Sequence, residues 1–160
     1  MLTMIVHDNI YFPANTFTVV LDQAREHLFK DQKEIAVFFQ IPVGMGDIGI
    51  KCQVRGVMEQ ELQLEGVCRV RALQRLEEDM GDIMIGEMPD VYEKNLLNEG
   101  LIQGVKALVK LLFPNAAYLT KAKNPGNFAD MVAANLELAH QEKIKLLYTP
   151  DSIARIKLIF

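Results

Sequence analysis

The chain has 160 residues, of which 50% are hydrophobic, and its formal net charge is −4. That length and apolar content suffice for a substantial core in one ordinary domain or two small lobes, which excludes a disordered chain. Residues 1–89 hold 8 basic against 14 acidic residues, and residues 90–160 hold 9 against 7. This distribution argues against the concentrated basic surface that nucleic-acid binders usually carry.

The sequence gives no sign of secretion or of membrane insertion. No cationic start precedes an apolar signal core, and the most apolar helical stretch, residues 101–113, is too short to span a bilayer and contains two lysines. Cys52 and Cys68 both fall at apolar positions of a predicted strand pair, where a thiol behaves as a small hydrophobic group. We therefore expect two buried free thiols and a reducing, cytoplasmic environment.

The first 88 residues predict a β-rich lobe. Apolar runs predict strands at residues 2–6, 16–21, 35–39 and 83–88. Between the second and third of these, Asp22 has the chemistry of a helix cap. The helix predicted after it covers residues 23–32, with a buried stripe formed by Ala24, Leu28 and Phe29.

Residues 49–73 predict a long β-hairpin, because two successive runs alternate with a period of two. One parity is apolar and predicts the buried face: Ile50, Cys52, Val54, Met58, Leu62, Leu64, Cys68 and Val70. Arg69 and Arg71 belong to the other parity, beside Glu65 and further acidic residues. We therefore expect both arginines on a hydrated face of the sheet.

From Pro89 onward the helical period dominates, which predicts a helical lobe over residues 89–160 after a β lobe over residues 1–88. The longest predicted helix ends before Pro114, and its predicted buried face consists of Leu97, Leu101, Val105, Leu108 and Leu112. Shorter helices are predicted after the turn at 124–127, from about residue 141, and from Pro150 to the apolar end at Phe160.

The residue patterns that catalysis needs do not occur. The one serine, Ser152, lies at a helix start without a glycine elbow, and no phosphate-binding loop is recognisable. The histidines His7, His27 and His140 lack metal-ligand spacing with one another or with the cysteines. The acidic run Glu77, Glu78, Asp79 and Asp82 is typical of a solvated loop. We therefore predict no catalytic residue, no metal site and no cofactor.

Apolar residues in predicted loops are the remaining candidates for a functional surface. Ile41, Val43 and Met45 lie in the loop before the hairpin, and Met80 lies in the loop after it. Loops usually lie on the surface, and methionine adapts to irregular partners. These four residues predict a peptide-contact surface, with a loop folded back on its own core as the alternative.

Three stretches, in order along the chain, carry a family resemblance. The first is residues 6–13, with Asp8 and Pro13, and the second is the hairpin exit with Glu65, Gly66 and Arg69. The third contains Asn124, Pro125, Phe128, Ala129 and Asp130, followed by residues 143–147 and Arg155. Together they resemble the amino-terminal domain of Lon-type ATP-dependent proteases.

This resemblance implies an α+β fold in which a PUA-like β pseudo-barrel is followed by a small helical bundle. It implies a non-catalytic module that recognises unfolded or tagged protein segments and delivers them to the ATPase and peptidase domains of a parent protease, with no cofactor and no membrane contact. A free-standing PUA-like module that binds RNA, through Arg69 and Arg71, or a protein partner is the alternative. Assembly into a homo-oligomer stays open.

Overall fold

The computed structural model describes residues 1–22, 25–42 and 44–160. Within these ranges the strands come first: β1 (Leu2–Val6), β2 (Thr16–Val20), β3 (Glu34–Gln40), β4 (Met45–Met58), β5 (Glu61–Ala72), β6 (Met80–Asp82) and β7 (Ile85–Met88). The α-helices follow: α1 (Leu96–Leu112), α2 (Pro125–Ala134), α3 (His140–Leu147) and α4 (Ser152–Ile159). None of these helices is long and apolar enough to cross a membrane.

The strands form one mixed sheet with the order β2-β5-β4-β3-β1-β6, and β7 pairs with the remaining length of β5. The β1 and β3 strands are parallel, whereas every other pair is antiparallel. In the described part of the chain no ladder joins β6 to β2, so the pseudo-barrel is open. The predicted α+β class and the strands predicted at 2–6, 16–21 and 35–39 are confirmed.

The predicted hairpin is present as β4 and β5, but its register shifts at two places, at Arg55 of β4 and at a β-bulge in β5. Lys51 pairs with Cys68, whereas Cys52 pairs with Gly66, so Val67 is an extra residue on β5. Directly paired residues of antiparallel strands share a face of the sheet. The bulge therefore moves the inward-facing positions of β5 from even to odd numbers.

Both faces of the sheet are covered by apolar side chains. The main core joins strands and helices, and its members include Ile35, Phe39, Ile50, Cys52, Leu62, Leu64, Ala133, Leu146 and Leu147. The outer cluster lies on the opposite face and consists of Ala36, Phe38, Val70 and Ile83, with Cys68 packed against it. Both thiols are free, as predicted, but only Cys52 is buried; Cys68 is half-buried and faces the opposite side of the sheet.

In the β lobe one predicted element is wrong and another is shorter than predicted. Within the described part of the predicted helix, residues 25–32, the structure has only a short 3-10 helix, Glu26–Leu28; Ala24 lies outside the described residues. Phe29 is buried but Leu28 is exposed, so no continuous stripe stabilises an α-helix there. The strand predicted at 83–88 is present as the shorter β7, because Ile83 and Met84 connect β6 on β1 to β7 on β5.

The predicted buried face of α1 is also wrong. Ile102, Val105 and Val109 are the buried residues of this helix, and they pack with Phe128 and Ile156 in a helical core. Four of the five predicted positions are partly or largely exposed, namely Leu97, Leu101, Leu108 and Leu112. The helix is apolar around most of its circumference, so its sequence contains two competing apolar stripes and the structure buries the second.

The strands end at Met88 and the helices start at Leu96, on either side of the predicted boundary. Ala133 of α2 and Leu146 and Leu147 of α3 pack in the same main core as the sheet. The backbone of Val91 exchanges hydrogen bonds with Pro150 and Ser152, each 2.9 Å long, which ties the connecting segment to the start of α4. Whether the two predicted lobes fold independently stays a prediction.

Candidate functional site

A cavity of about 450 Å³ opens between the sheet and the helices. One wall is the segment that connects β1 to β2, and the other is the carboxyl end of α2 with the residues that follow it. The lining includes Asn9, Tyr11, Phe12, Asn15, Thr16, Phe17, Tyr118, Met131, Ala134, Asn135, Leu136 and Lys143. The lining therefore combines aromatic and aliphatic side chains with several amide side chains and one lysine.

Aromatic rings form the wall on the sheet side. The rings of Tyr11 and Phe17 are stacked, with centroids 4.1 Å apart and planes 6° from parallel, and Tyr11 also lies 6.4 Å from the ring of Phe39. Phe17 reaches this place because it pairs with Leu64 of β5, whose side chain is in the main core. On the helical side Tyr118 remains 54% exposed, so its ring is accessible to a ligand.

Several polar side chains of the lining already form hydrogen bonds within the protein. The Lys143 Nζ donates to Asn9 Oδ1 at 2.8 Å, and Asn15 Nδ2 donates to the carbonyl oxygens of Pro13 at 2.9 Å and Asp130 at 3.1 Å. Burial, and to a smaller extent the charge of Asp8, raises the pKa of the Tyr11 phenol, so its ring stays neutral. The wall thus offers fixed dipoles and one lysine rather than a reactive group.

The cavity lies beside an open edge of the sheet. The strand β2 is the first in the strand order and pairs only with β5 among the described strands, and its residues Thr16 and Phe17 line the cavity. Unpaired amide and carbonyl groups of an edge strand accept an added strand, and neighbouring pockets then receive alternate side chains. The arrangement suits an extended polypeptide better than a small charged ligand.

Behind the cavity, a buried ion pair joins the sheet to the helices. Arg69 is 1% exposed, and its Nη1 and Nη2 donate to Asp130 Oδ2 and Oδ1 at 2.7 and 2.8 Å. Its Nε donates to the carbonyl oxygen of Leu147 at 2.9 Å, and Nη2 also donates to that of Leu146 at 3.1 Å. Arg69 therefore holds β5, α2 and α3 together.

The expectation that Arg69 lies on a hydrated face is wrong. The bulge at Val67 places Arg69 directly opposite Ile50, and hence on the main-core side of the sheet. Arg71 lies opposite Ile48, on the same face of the sheet as Arg69, but its side chain is exposed, as predicted.

A second buried arginine extends the ion pair. Arg155 Nη1 donates to Asp90 Oδ1 at 2.9 Å and to the carbonyl oxygen of Thr149 at 2.9 Å, and Asp90 Oδ1 lies 3.7 Å from Arg69 Nη1. Gly126 is required beside this pair, because a Cβ there would lie 2.0 Å from Asp90 Oδ2. The sequence does contain a signal for this network: Asp130 and Arg155 lie among apolar residues of their helices. Charged side chains in such positions are rarely buried without a partner of opposite charge.

The structure separates the residues of the predicted peptide-contact surface. Ile41 is half-buried in the turn before β4, Met45 packs against the outer cluster, and Met80 packs against the main core. Val43 lies outside the described residues. Met45 and Met80 therefore lie on opposite faces of the sheet, and peptide contact by these residues stays a prediction.

No three histidine, cysteine or acidic side chains come close enough to hold a metal ion in the part of the chain that the structure describes.

Comparisons with known proteins agree with the fold and the resemblance. A Lon protease of Citrifermentans bemidjiense is 26% identical over 176 residues, which cover 94% of this chain and 22% of that relative. The chain thus spans about a fifth of this relative.

Two solved structures share the fold at lower identity. The N-terminal domain of a Mycobacterium avium complex Lon protease superposes with a TM-score of 0.79 and 18% identity, covering 98% of this chain and 94% of that one. A Lon N-terminal domain protein from Xanthomonas campestris superposes with a TM-score of 0.70 and 16% identity, covering 99% and 96%.

The family model for the substrate-binding domain of ATP-dependent protease La (Lon) matches residues 2–160. Because this match covers nearly the whole chain, the protein belongs to the family of Lon substrate-binding domains.

Proposed function

We propose that this domain binds unfolded or tagged protein segments and presents them to the ATPase and peptidase domains of a Lon-type protease, without chemistry of its own. Membership of a substrate-binding family and a chain that spans about a fifth of a Lon relative both support this proposal. The observation that carries it is the aromatic cavity beside the open edge of β2.

An edge strand and an adjacent cavity with aromatic walls suit a binder that must accept many sequences. Main-chain hydrogen bonds to β2 are available to any extended segment, and they supply affinity without a sequence requirement. The stacked rings of Tyr11 and Phe17, together with Tyr118 and Met131, offer a place for one large apolar side chain. Apolar side chains are buried in folded proteins and accessible in unfolded ones. The edge strand and the cavity together therefore favour binding of unfolded segments over folded proteins.

The RNA-binding alternative loses one of the two arginines on which it depends. Arg69 is engaged by Asp130 inside the protein and cannot reach a phosphate. On the same sheet, Arg55 pairs with Glu65 and Lys51 pairs with Glu87, so two further basic side chains are engaged by carboxylates. We therefore expect no retention of single-stranded RNA at low salt.

The test is fluorescence anisotropy with a labelled, reduced and carboxymethylated polypeptide that cannot refold, in the absence of nucleotide. We expect the wild-type domain to bind it and Tyr118→Ala to weaken binding about 5–30-fold, which corresponds to about 1–2 kcal/mol for an accessible aromatic contact. The Tyr118 hydroxyl makes only a 3.5 Å contact with Asn135, so this change should leave the fold intact.

A second variant closes the cavity without removing any contact. Ala134 is exposed and lines the cavity, so Ala134→Trp should fill it and weaken binding as well. Leu73→Ala is the control, because Leu73 is a comparably exposed apolar residue outside the cavity. Absence of binding by the wild-type domain would contradict the proposed function, whereas wild-type affinity in both cavity variants would contradict only the site.

A further inference from the structure

The lining of the cavity carries one positive charge and no negative one in the part of the chain that the structure describes. Lys143 is its one charged side chain, although the whole chain has 21 acidic against 17 basic residues. The Asp130 carboxylate behind the cavity is engaged by Arg69 at 2.7 and 2.8 Å. Asp8, which neighbours the lining, is exposed, so solvent screens its charge. The cavity therefore favours a ligand with a negative charge.

The Lys143 ammonium group is held in position and still has donors for a ligand. Its Nζ donates to Asn9 Oδ1 at 2.8 Å, and this oxygen is oriented because it also accepts from the backbone amide of Ile10 at 2.8 Å. No carboxylate of the described residues forms an ion pair with Lys143. An ammonium group has three donors, so two remain for an acceptor inside the cavity. A carboxylate is the strongest such acceptor, because both partners are then ionised.

The direction of β2 decides which end of a bound segment reaches the cavity. Thr16 and Phe17, at the start of β2, line the cavity, whereas Val20, at the other end of the strand, lies outside the lining. A segment added antiparallel to β2 therefore runs toward the cavity and brings its carboxyl end there, whereas a parallel segment brings its amino end. Antiparallel pairing is slightly more stable per residue. In addition, Lys143 attracts a terminal carboxylate, which is ionised at neutral pH, and repels a terminal ammonium group.

The last side chain of such a segment would meet aromatic walls. The rings of Tyr11 and Phe17 are stacked 4.1 Å apart on one side, and Tyr118 is accessible on the other. The cavity volume of about 450 Å³ is within the roughly 300–1,000 Å³ of pockets that hold small ligands. A cavity of this size accommodates a terminal residue rather than a long segment.

We propose that the cavity binds the carboxyl terminus of a polypeptide, with the terminal carboxylate on Lys143 and an apolar last side chain against Tyr11, Phe17 and Tyr118. This inference rests on the proposed function and narrows it, because the bound segment is then a chain end added antiparallel to β2. An internal segment of an unfolded polypeptide still pairs with β2, but it lacks the contact with Lys143. A free carboxyl terminus is therefore a preferred feature of the bound segments and not a required one.

Fluorescence anisotropy with two peptides tests this preference. Both carry an amino-terminal label and about ten serine and threonine residues, and both end in valine and phenylalanine; one has a free carboxylate and the other a carboxyl-terminal amide. We expect the wild-type domain to bind the free acid about tenfold more tightly than the amide, because hydrogen bonds to charged groups are the stronger ones. This comparison needs no variant, so it does not depend on whether a variant folds.

Two lysine variants then assign the preference to a residue. Lys143→Met keeps most of the side-chain length but removes the charge, and it should bind both peptides with the affinity that the wild type has for the amide. Lys145→Met is the matched control, because Lys145 lies on the same helix α3, is exposed and does not line the cavity. This control should keep the full preference for the free acid.

Two further probes test the source of the carboxylate and the direction of the segment. An amidated peptide with one internal glutamate carries the same charge without a free terminus, and it should bind no more tightly than the plain amide. A benzophenone amino acid in place of the terminal phenylalanine should cross-link to Met131 or Tyr118 in the cavity. The same group at the amino end of the peptide should cross-link near Val20 instead.

Equal affinity of the wild type for acid and amide, or a preference that Lys143→Met retains, would overturn the inference. Tight binding of the internal glutamate peptide, or the reverse pattern of cross-links, would overturn it as well. If the carboxymethylated polypeptide binds while acid and amide peptides do not differ, only this inference falls and the proposed function stands. If neither the polypeptide nor the peptides bind, both fall.

Discussion

The ion pair between Arg69 and Asp130 offers the sharpest test of how the sheet and the helices are held together. In Asp130→Asn the side chain keeps its volume but loses the charge that accepts two hydrogen bonds of 2.7 and 2.8 Å. Arg69 would keep its bonds to the carbonyl oxygens of Leu146 and Leu147 and remain buried. Removing one partner of a buried pair costs about 3–5 kcal/mol, so we expect a loss of that size in the free energy of unfolding.

The assay is urea unfolding followed by far-ultraviolet circular dichroism, since the chain contains no tryptophan. Glu65→Gln is the matched control, because it also neutralises one carboxylate that pairs with an arginine, here Arg55, but the pair is solvent-exposed. Exposed pairs contribute about 0–1 kcal/mol, and the control should lose no more than that. The m-value should stay constant in both variants.

A loss below about 1 kcal/mol in Asp130→Asn, equal to that of the control, would refute the conclusion that this pair links the two parts of the fold. The double variant Arg69→Met with Asp130→Leu provides the complementary measurement. Replacing both charges by apolar side chains leaves no unpaired group, so this variant should recover part of the stability that Asp130→Asn loses.

Further predictions concern glycines and thiols. Gly49→Ala should destabilise the fold by more than 1 kcal/mol, because its Cβ would lie 2.2 Å from the Val37 carbonyl oxygen, and urea unfolding measures this loss. Gly100→Ala should instead stabilise it by about 0.5–1 kcal/mol, because a Cβ there would meet no atom within 4 Å among the described residues. Burial raises the pKa of the Cys52 thiol, so the native thiol stays protonated while the unfolded one ionises. Stability should therefore be lost as the pH rises above about 8.5, by about 1.4 kcal/mol per pH unit, and a Cys52→Ala variant should lose that part of the slope.

Equal losses in the two glycine variants would contradict the packing described around β3 and β4. A slope above pH 8.5 that is unchanged in Cys52→Ala would mean that other groups cause it.

The strands and the general order of elements followed from periodicity, because a period of two in a half-buried strand is a strong local signal. The burial of Arg69 could not be predicted from periodicity. One extra residue in β5 reverses the parity of every position after it, and alternation alone does not reveal a bulge. The buried face of α1 was missed for a related reason. Two apolar stripes compete on that helix, and only its packing against Phe128 and Ile156 decides between them.

The cavity beside β2 also lay beyond sequence reasoning. Its walls come from residues about 100 positions apart, such as Phe17 and Tyr118, which only the tertiary fold brings together. Apolar loop residues are easier to notice in a sequence, and this drew attention to Ile41, Met45 and Met80. Tyr11 and Phe17 instead look like ordinary core residues, because their hydrophobicity alone does not distinguish a cavity wall from an interior.

The most direct test of the proposed function is hydrogen exchange of the backbone amides with and without the unfolded polypeptide. The cavity and edge strand predict protection of Thr16–Val20 and of the neighbouring residues 9–15 when the polypeptide binds. Protection confined to Ile41, Met45 and Met80, with exchange in Thr16–Val20 unchanged, would contradict the account and would locate binding at the surface predicted from the sequence.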